Sequence, residues 1–552
     1  MSKASEIIPD ADSISRGPTI LVGLAVVVAI AIVYVWRPVF HGVIYQLVYS
    51  PTLLITLLVS IAGVIFVFSG IGTEDGTSVS REAQISVLGS VVVAAVIIGA
   101  VYGLPAGMVE ERTLAQDTMS DSVQVETFPD VNSENPRIVP KAVADVQTSG
   151  SVSYRQHRLG TSDIARTEDG RLAWSYAIQP GPFQVRLTGN QRGVLLSDMT
   201  AIENRETQAF DEKPFAIGQG MFFHRSADWN LKKGDFWTQY RDDPAEFVHD
   251  GEAYMVYPKT GHEWRLTPIP HTVPVWDGVG LIHQDGTIEH LSPAEAQESE
   301  ILDGQRLYPV YNAQRRASSL EFRNGIINRL PVVGTFRGVV EPARLPAGAG
   351  NEQPFVIDLE GETMSYVMAM EPNGRNTRGL DEVWFFNAET GESQFFGTGD
   401  DTLLGPQRAM GIVRSEDTRT DWVAGSQSGQ FQVVEPVPVV IDGELWWHSK
   451  VVPVDQTDVT RNVFVSASGG TAVELSKTTA VVEFMTGKNL ESIDDADQVG
   501  TEPAEDNPDV AYFVVVTDEN GDEIERIPVS QGEQVNIVPG NSTASGNTTA
   551  TG

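Results

Sequence analysis

Three apolar segments in the first fifth of the chain restrict what it can fold into. They are Thr19–Trp36, Thr52–Gly72 and Ile85–Leu104, and none contains a charged residue. A helix needs about 20 apolar residues to cross roughly 30 Å of hydrocarbon. A cleaved leader would have a shorter apolar core behind a basic region, whereas "SISRGP" precedes the first segment. The sequence therefore predicts three transmembrane helices within residues 19–104. The first connection, "RPVFHGVIYQLVYSP", is apolar enough to lie in the bilayer interface. Tyr34, Trp36, Tyr45 and Tyr49 cluster around it, as expected of interfacial rings.

Three spans place the termini on opposite sides. Lys3 and Arg16 precede the first span, Arg81 lies between the second and third, and Arg37 alone lies in the first loop. This bias predicts a multi-pass cell-membrane protein with a cytoplasmic tail, residues 1–18, and an extracellular C-terminal domain. The sequence "GNSTASGNTTATG" agrees, with glycosylation sequons at Asn541 and Asn547.

The charge narrows the setting. Asp and Glu total 74 against 38 Lys and Arg, a net −36, and only 9 of the basic residues are Lys. So many carboxylates repel one another at low salt. At molar salt the screening length falls to about 3 Å. The composition predicts the protein of an extreme halophile, a haloarchaeon. Phosphate binding needs Lys and Arg clusters, and none stands out, so nucleic acid is not an expected partner. The absence of Cys excludes disulfides and thiolate chemistry.

Beyond the spans the chain repeats itself. Asp169-Gly170, Asp250-Gly251, Glu360-Gly361 and Asp442-Gly443 each lead into an aromatic, strand-like run. Such a turn between apolar runs predicts a hairpin, because Gly accepts the positive φ of a tight turn. A second apolar run follows each copy, starting at Arg192, Asp277, Asp381 and Arg461. Each unit is expected to be a three-stranded antiparallel sheet that neighbours or helices must cover. Candidate covering helices lie in Ser292–Ile327, which opens with a Ser cap and a first-turn Pro, near Phe210–Asp242, and near Gly405–Val413.

The predicted fold class is α+β: three N-terminal transmembrane helices, then a large extracytoplasmic domain of repeated antiparallel β units with covering helices. A linker, 105–147, precedes units at 148–240, 241–330, 331–415 and 416–488. An acidic linker (489–509), a β-rich segment (510–540) and a low-complexity tail (541–552) follow. "DENGDE", Asp518–Glu523, reads as a hairpin turn, since it lacks the spacing of a calcium loop.

"VWFFNAETGES", from Val383 to Ser393, resembles the closing strand and turn of PepSY-type domains, with Asn387 where Asp is usual. "GVLLSDMT" from Gly193 matches more loosely. That resemblance implies extracytoplasmic interaction or inhibitory modules.

No catalytic motif stands out. His224, His249, His262, His271, His283 and His290 have irregular spacing, and "HEW" at His262 stops short of H-E-x-x-H. Satisfied histidines are expected rather than a metal site, and no cofactor is expected. Trp174, Trp384, Trp446 and Trp447 sit on strand-like runs and read as core. The sequence thus predicts a non-enzymatic envelope protein that interacts with the lipid membrane and with protein partners, self-association included. It would be a scaffold or a subunit of a larger membrane complex. Alternatives are a membrane protein of a haloarchaeal virus or mobile element, and a regulator of an extracellular peptidase.

Overall fold

The computed structural model describes residues 24, 27, 28, 31–69, 81–151, 154–203, 205–348, 350–361, 363–374, 379–399, 403–416, 420–423, 429–493, 497–499, 510–517 and 523–530. Half of Thr19–Trp36, the turn 518–522, and the sequons at Asn541 and Asn547 lie outside them.

Helix α1 (Arg37–Tyr49) meets α2 (Pro51–Ser69) at a sharp break at Ser50 and Pro51. Helix α3 is the 41-residue Arg81–Asp121. Among the described residues one helix, Gly89–Asp121, is long and apolar enough to cross a membrane. A second crossing arises only if α1 and Pro51–Ile65, bent by 87°, form one span. This corrects the expectation of three spans. α2 and α3 pack antiparallel: Gly63 stands against Val91, Gly99 against Thr56 and Gly103 against Thr52, where a Cβ would collide. Small residues allow such close approach between apolar helices.

The expected linker is also corrected. α3 runs through Pro105 to Asp121. Proline removes one backbone donor, but the following "AGMVEERTLAQD" is rich in strong helix formers. Strand β1 (Ser122–Val125) and helix α4 (Lys141–Ser149) complete this stretch.

Four antiparallel meanders follow. The first contains β2 (Asp163–Arg166), β3 (Leu172–Pro180), β4 (Val194–Asp198) and β5 (Thr207–Phe210). Helix α5 (Ala227–Gly234) leads to the second: β6 (Ala245–His249), β7 (Glu252–Arg265), β8 (His271–His283) and β9 (Ile288–Leu291). Helix α6 (Val310–Ser319) leads to the third: β10 (Phe355–Leu359), β11 (Thr363–Pro372), β12 (Glu382–Asn387) and β13 (Ser393–Gly397). Helix α7 (Pro406–Glu416) leads to the fourth: β14 (Phe431–Ile441), β15 (Glu444–Pro453), β16 (Arg461–Ser466) and β17 (Ala472–Leu475). Helix α8 (Thr478–Met485) covers this last sheet, and β18 (Val510–Thr517) pairs with β19 (Glu523–Ser530). Each unit therefore has at least four strands, where three were expected. The fourth strands are short and carry little apolar periodicity. The fold class is mixed α+β.

The sheets stack face to face in the order second, first, third, fourth. Ala173, Val194 and Leu196 of the first meet Val248, Met255 and Ile282 of the second. Val367, Val383 and Phe385 of the third meet Val437, Trp447 and Val463 of the fourth. The opposite faces of the first and third share a core of Trp174, Tyr176, Tyr366, Trp384 and Phe386 with Val143 of α4 and Ala313 of α6. β3 and β11 are covered on both faces, which is why they read as continuous apolar runs rather than alternating ones. Trp174 donates to the Val139 carbonyl at 2.9 Å and Trp447 to that of Leu404 at 2.7 Å, so these buried rings keep their polar edges paired.

Candidate functional site

The apolar helices do not hang from the sheet domain; they are built into it. α1 turns Pro38, His41 and Tyr45 into the protein. His41 Nε2 lies 2.9 Å from the Thr238 carbonyl, and the Tyr45 hydroxyl lies 2.8 Å from His262 Nδ1. The Thr272 hydroxyl donates to the Tyr49 carbonyl at 2.9 Å, and that of Tyr102 donates to the Pro270 carbonyl. Tyr45 thus packs against the domain. His262 is pushed down to about 4, by burial first and then by the charges of Arg241 and Arg315. It stays neutral above that pH.

Past the apolar stretch, α3 is clamped on several sides. Arg315 of α6 holds Glu110 at 2.8 Å and Glu111 at 2.7 Å. Arg112 donates to the Phe322 carbonyl at 3.1 Å, and Thr113 Oγ1 lies 2.9 Å from His271 Nε2. β1 then pairs in parallel with β13, placing Ser122 opposite Ser393. Arg316 ties that edge down through the Gly391 carbonyl at 2.9 Å and the Ser393 hydroxyl at 3.0 Å.

A second polar cluster is interior. The first strand of every unit carries one inward acid: Glu246, Asp358 and Glu435 are fully buried, and Asp163 is 13% exposed. Arg166 pairs with Asp358 and Arg137 with Glu435. Arg306 pairs with Asp163. Glu246 accepts from the Ser175 hydroxyl at 3.0 Å and from the Gln219 amide. Burial raises Asp163 to about 6 in spite of Arg306. Burial, then the Asp163 charge, raises Glu246 to about 8, so it is a neutral acid at pH 7. Asp358 thus ties the third sheet to Arg166 of the first, and Glu246 ties the second to Ser175 of the first. The signal of these acids in the sequence is one carboxylate in each of the four first strands.

The glycines of the four predicted turns all take positive φ, from 73° to 84°. Asp250-Gly251 and Asp442-Gly443 are two-residue hairpin loops with both residues at positive φ; the other two loops are longer. The first two turns meet, with the Gly251 amide donating to Glu168 at 3.1 Å. The Glu360 amide reaches the Asp130 carbonyl at 2.9 Å. Beside the first turn lies a cleft of about 310 Å³, lined by Glu168, Asp169, Arg171, Asp198, Glu206 and Gln208 among others. Arg171 spans it, bonding Asp169 at 2.6 Å, Asp198 at 2.9 Å and Glu206 at 3.1 Å. The cleft is therefore lined by more acid than base.

The histidines scatter. His262 and His271 serve the helix junction, His283 pairs with Glu289 at 2.7 Å, and His290 lies 3.5 Å from the Tyr240 hydroxyl. Among the described residues no three His, Asp or Glu side chains converge as metal ligands.

No family model matches the chain, and no curated protein matches it. Among solved structures, an endo-arabinase from Bacteroides thetaiotaomicron VPI-5482 aligns with 72% of this chain and 99% of its own, at 8% identity and a TM-score of 0.16. Similarity at that level carries no argument about fold or activity.

Proposed function

We propose that this chain is a membrane-anchored, non-enzymatic interaction platform of a halophile's cell envelope, with its sheet domain outside the cell. The observation that carries the reading is the continuity of α3. The helix leaves its apolar stretch without a break and its next strand joins the third sheet. Such a joint holds the domain in a fixed attitude to the membrane, which suits a subunit that must present one face to a partner. α3 is the anchor, with α2 packed antiparallel along it, and α1 belongs to the junction. The presented face is the end bearing the Asp169 and Asp250 turns and the acidic cleft. A partner would meet it with basic or hydroxyl-rich groups, and molar salt would screen the encounter.

The test is site-directed photo-crosslinking from Gln208 in the cleft, in cells held at molar KCl, followed by mass spectrometry of the adducts. A reproducible protein adduct from Gln208 supports the platform. Partner identity then separates a cellular complex from a virus-like assembly or a peptidase under regulation. Only monomer, with partners captured nowhere on the domain, sinks the reading.

A further inference from the structure

α1 cannot continue the direction of α2, because the two are bent by 87°. α2 in turn runs antiparallel along α3, with Thr52 beside Gly103 at the domain end. If α3 crosses the bilayer with α2 packed along it, α1 lies flat between lipid and domain. Its two faces fit that placement. Pro38, His41 and Tyr45 are buried against the domain, while Val39, Phe40 and Val43 are exposed. An exposed apolar face opposite a docked one is the pattern of an in-plane interfacial helix.

The domain carries matching apolar groups around α1. Trp36 makes edge contacts with Phe223 at 6.1 Å and Trp229 at 5.5 Å. His41 contacts Phe236 at 5.1 Å, and Phe236 contacts Trp237 at 5.2 Å. Leu266 lies in the β7–β8 turn, whose Pro270 carbonyl binds Tyr102 of α3. Phe223, Trp237 and Leu266 are nevertheless 51%, 52% and 71% exposed. Phe223 is held at φ +54°, a strained conformation for a bulky residue. Strain of this kind persists where the surroundings over-determine it, and here it leaves the residue half-exposed beside Trp36 and Trp229.

We infer that Phe223, Trp237 and Leu266, together with the outer face of α1, form a collar that enters the lipid–water interface and seats the domain directly on the bilayer. Tryptophan and apolar side chains around a membrane helix favour that zone. The inference rests on the membrane reading above, and the test separates the two.

The chain has no Cys, so single labels are clean. An environment-sensitive fluorophore is placed at Trp237→Cys, Leu266→Cys, Val96→Cys and Glu252→Cys in the full chain, in phosphatidylcholine nanodiscs. Glu252 begins the 14-residue β7, whose other end is Arg265 beside Leu266, roughly 40 Å away. Spin-labelled lipids carry the quencher near the headgroup or deep in the chains. The collar predicts strong quenching at Trp237 and Leu266 by the shallow quencher, strong quenching at Val96 by the deep one, and none at Glu252. Quenching at Val96 with Trp237 and Leu266 as dark to lipid as Glu252 overturns the collar and leaves the anchor standing. No quenching at Val96 overturns both.

Discussion

Arg166 in the first strand of one sheet grips Asp358 in the first strand of another, through contacts of 2.6 and 3.3 Å. Both side chains are almost wholly buried. Asn132 and Asn135 complete the carboxylate, each donating at 2.9 Å. A buried pair of this kind returns little net stability over apolar replacements, yet breaking it strands a charge in a low-dielectric interior. Arg166→Met alone should therefore cost about 3–5 kcal/mol, and the double change Arg166→Met with Asp358→Leu distinctly less. Thermal unfolding at molar salt checks the order. Equal losses for single and double variants would show that the pair is not a coupled lock.

Glu246 gives the fold a pH dependence. Its pKa is raised to about 8 in the folded protein, first by burial and then by Asp163, against about 4.3 for a free Glu. A raised carboxyl stabilises fully below the unfolded value and loses that contribution as pH climbs through the folded one. Between about pH 4.3 and 8 the unfolded chain binds fewer protons at this site, so stability falls as pH rises. Asp163, raised to about 6, adds in the same direction over a narrower window. Glu246→Gln keeps the Ser175 contact without the ionisation. It should flatten the decline, with a gain at pH 8 on the order of 1–4 kcal/mol. A variant and parent with parallel pH profiles would remove Glu246 from the account.

Lys450 works the other way. It is fully buried in β15, and among the described residues its Nζ has no hydrogen-bond partner. Burial lowers it to about 7, with Glu435 opposing and Arg137 assisting. Because the folded value lies below the free Lys value of about 10.4, stability falls as pH drops from about 10 toward 7. Lys450→Met should be stabilising below pH 7 by on the order of 1–3 kcal/mol. The gain should shrink as pH approaches 10. A destabilised variant at pH 6 would mean that the ammonium has a compensating partner in the native protein.

What was legible in the sequence follows from the range of each interaction. Asp250-Gly251 and Asp442-Gly443 announce themselves because the turn conformation is decided within two residues, and both positions of each take positive φ. The capping box of Ser292 and Glu295 is equally local. Aromatic runs such as Val383–Phe386 read as buried strands for the same reason. The joint at Glu110, Glu111 and Arg315 did not, since Arg315 is about 200 residues from its partners. The stack order, with the first sheet between the second and third, was illegible too. It depends on faces that look alike in sequence, all rich in Val, Phe and Tyr. The linker expected at 105–147 is polar and weakly patterned in sequence, and its first part is helical because the helix formers after Pro105 carry α3 on to Asp121.

That joint makes the most direct claim about how the membrane and the domain communicate. One guanidinium serves two adjacent carboxylates, at 2.8 and 2.7 Å, with all three side chains about a quarter exposed. Arg315→Ala would leave Glu110 and Glu111 facing the domain with no counter-charge. The expected cost is about 1–3 kcal/mol, discounted from a fully buried pair for solvent screening. The loss should be local. Hydrogen exchange should quicken from Glu110 through Val125, where α3 hands over to β1, while the amides of β3 and β11 keep their protection. Restoring neutrality with Glu110→Gln and Glu111→Gln in the Arg315→Ala background should slow that exchange again, because the repulsion and the stranded charge are removed together. If Arg315→Ala leaves exchange across α3 and β1 unchanged, the packing of Val109, Leu114 and Ala115 holds the joint without the ion pairs. If it quickens exchange throughout the domain, the arginine is part of the core of the fold and not a clamp on the helix.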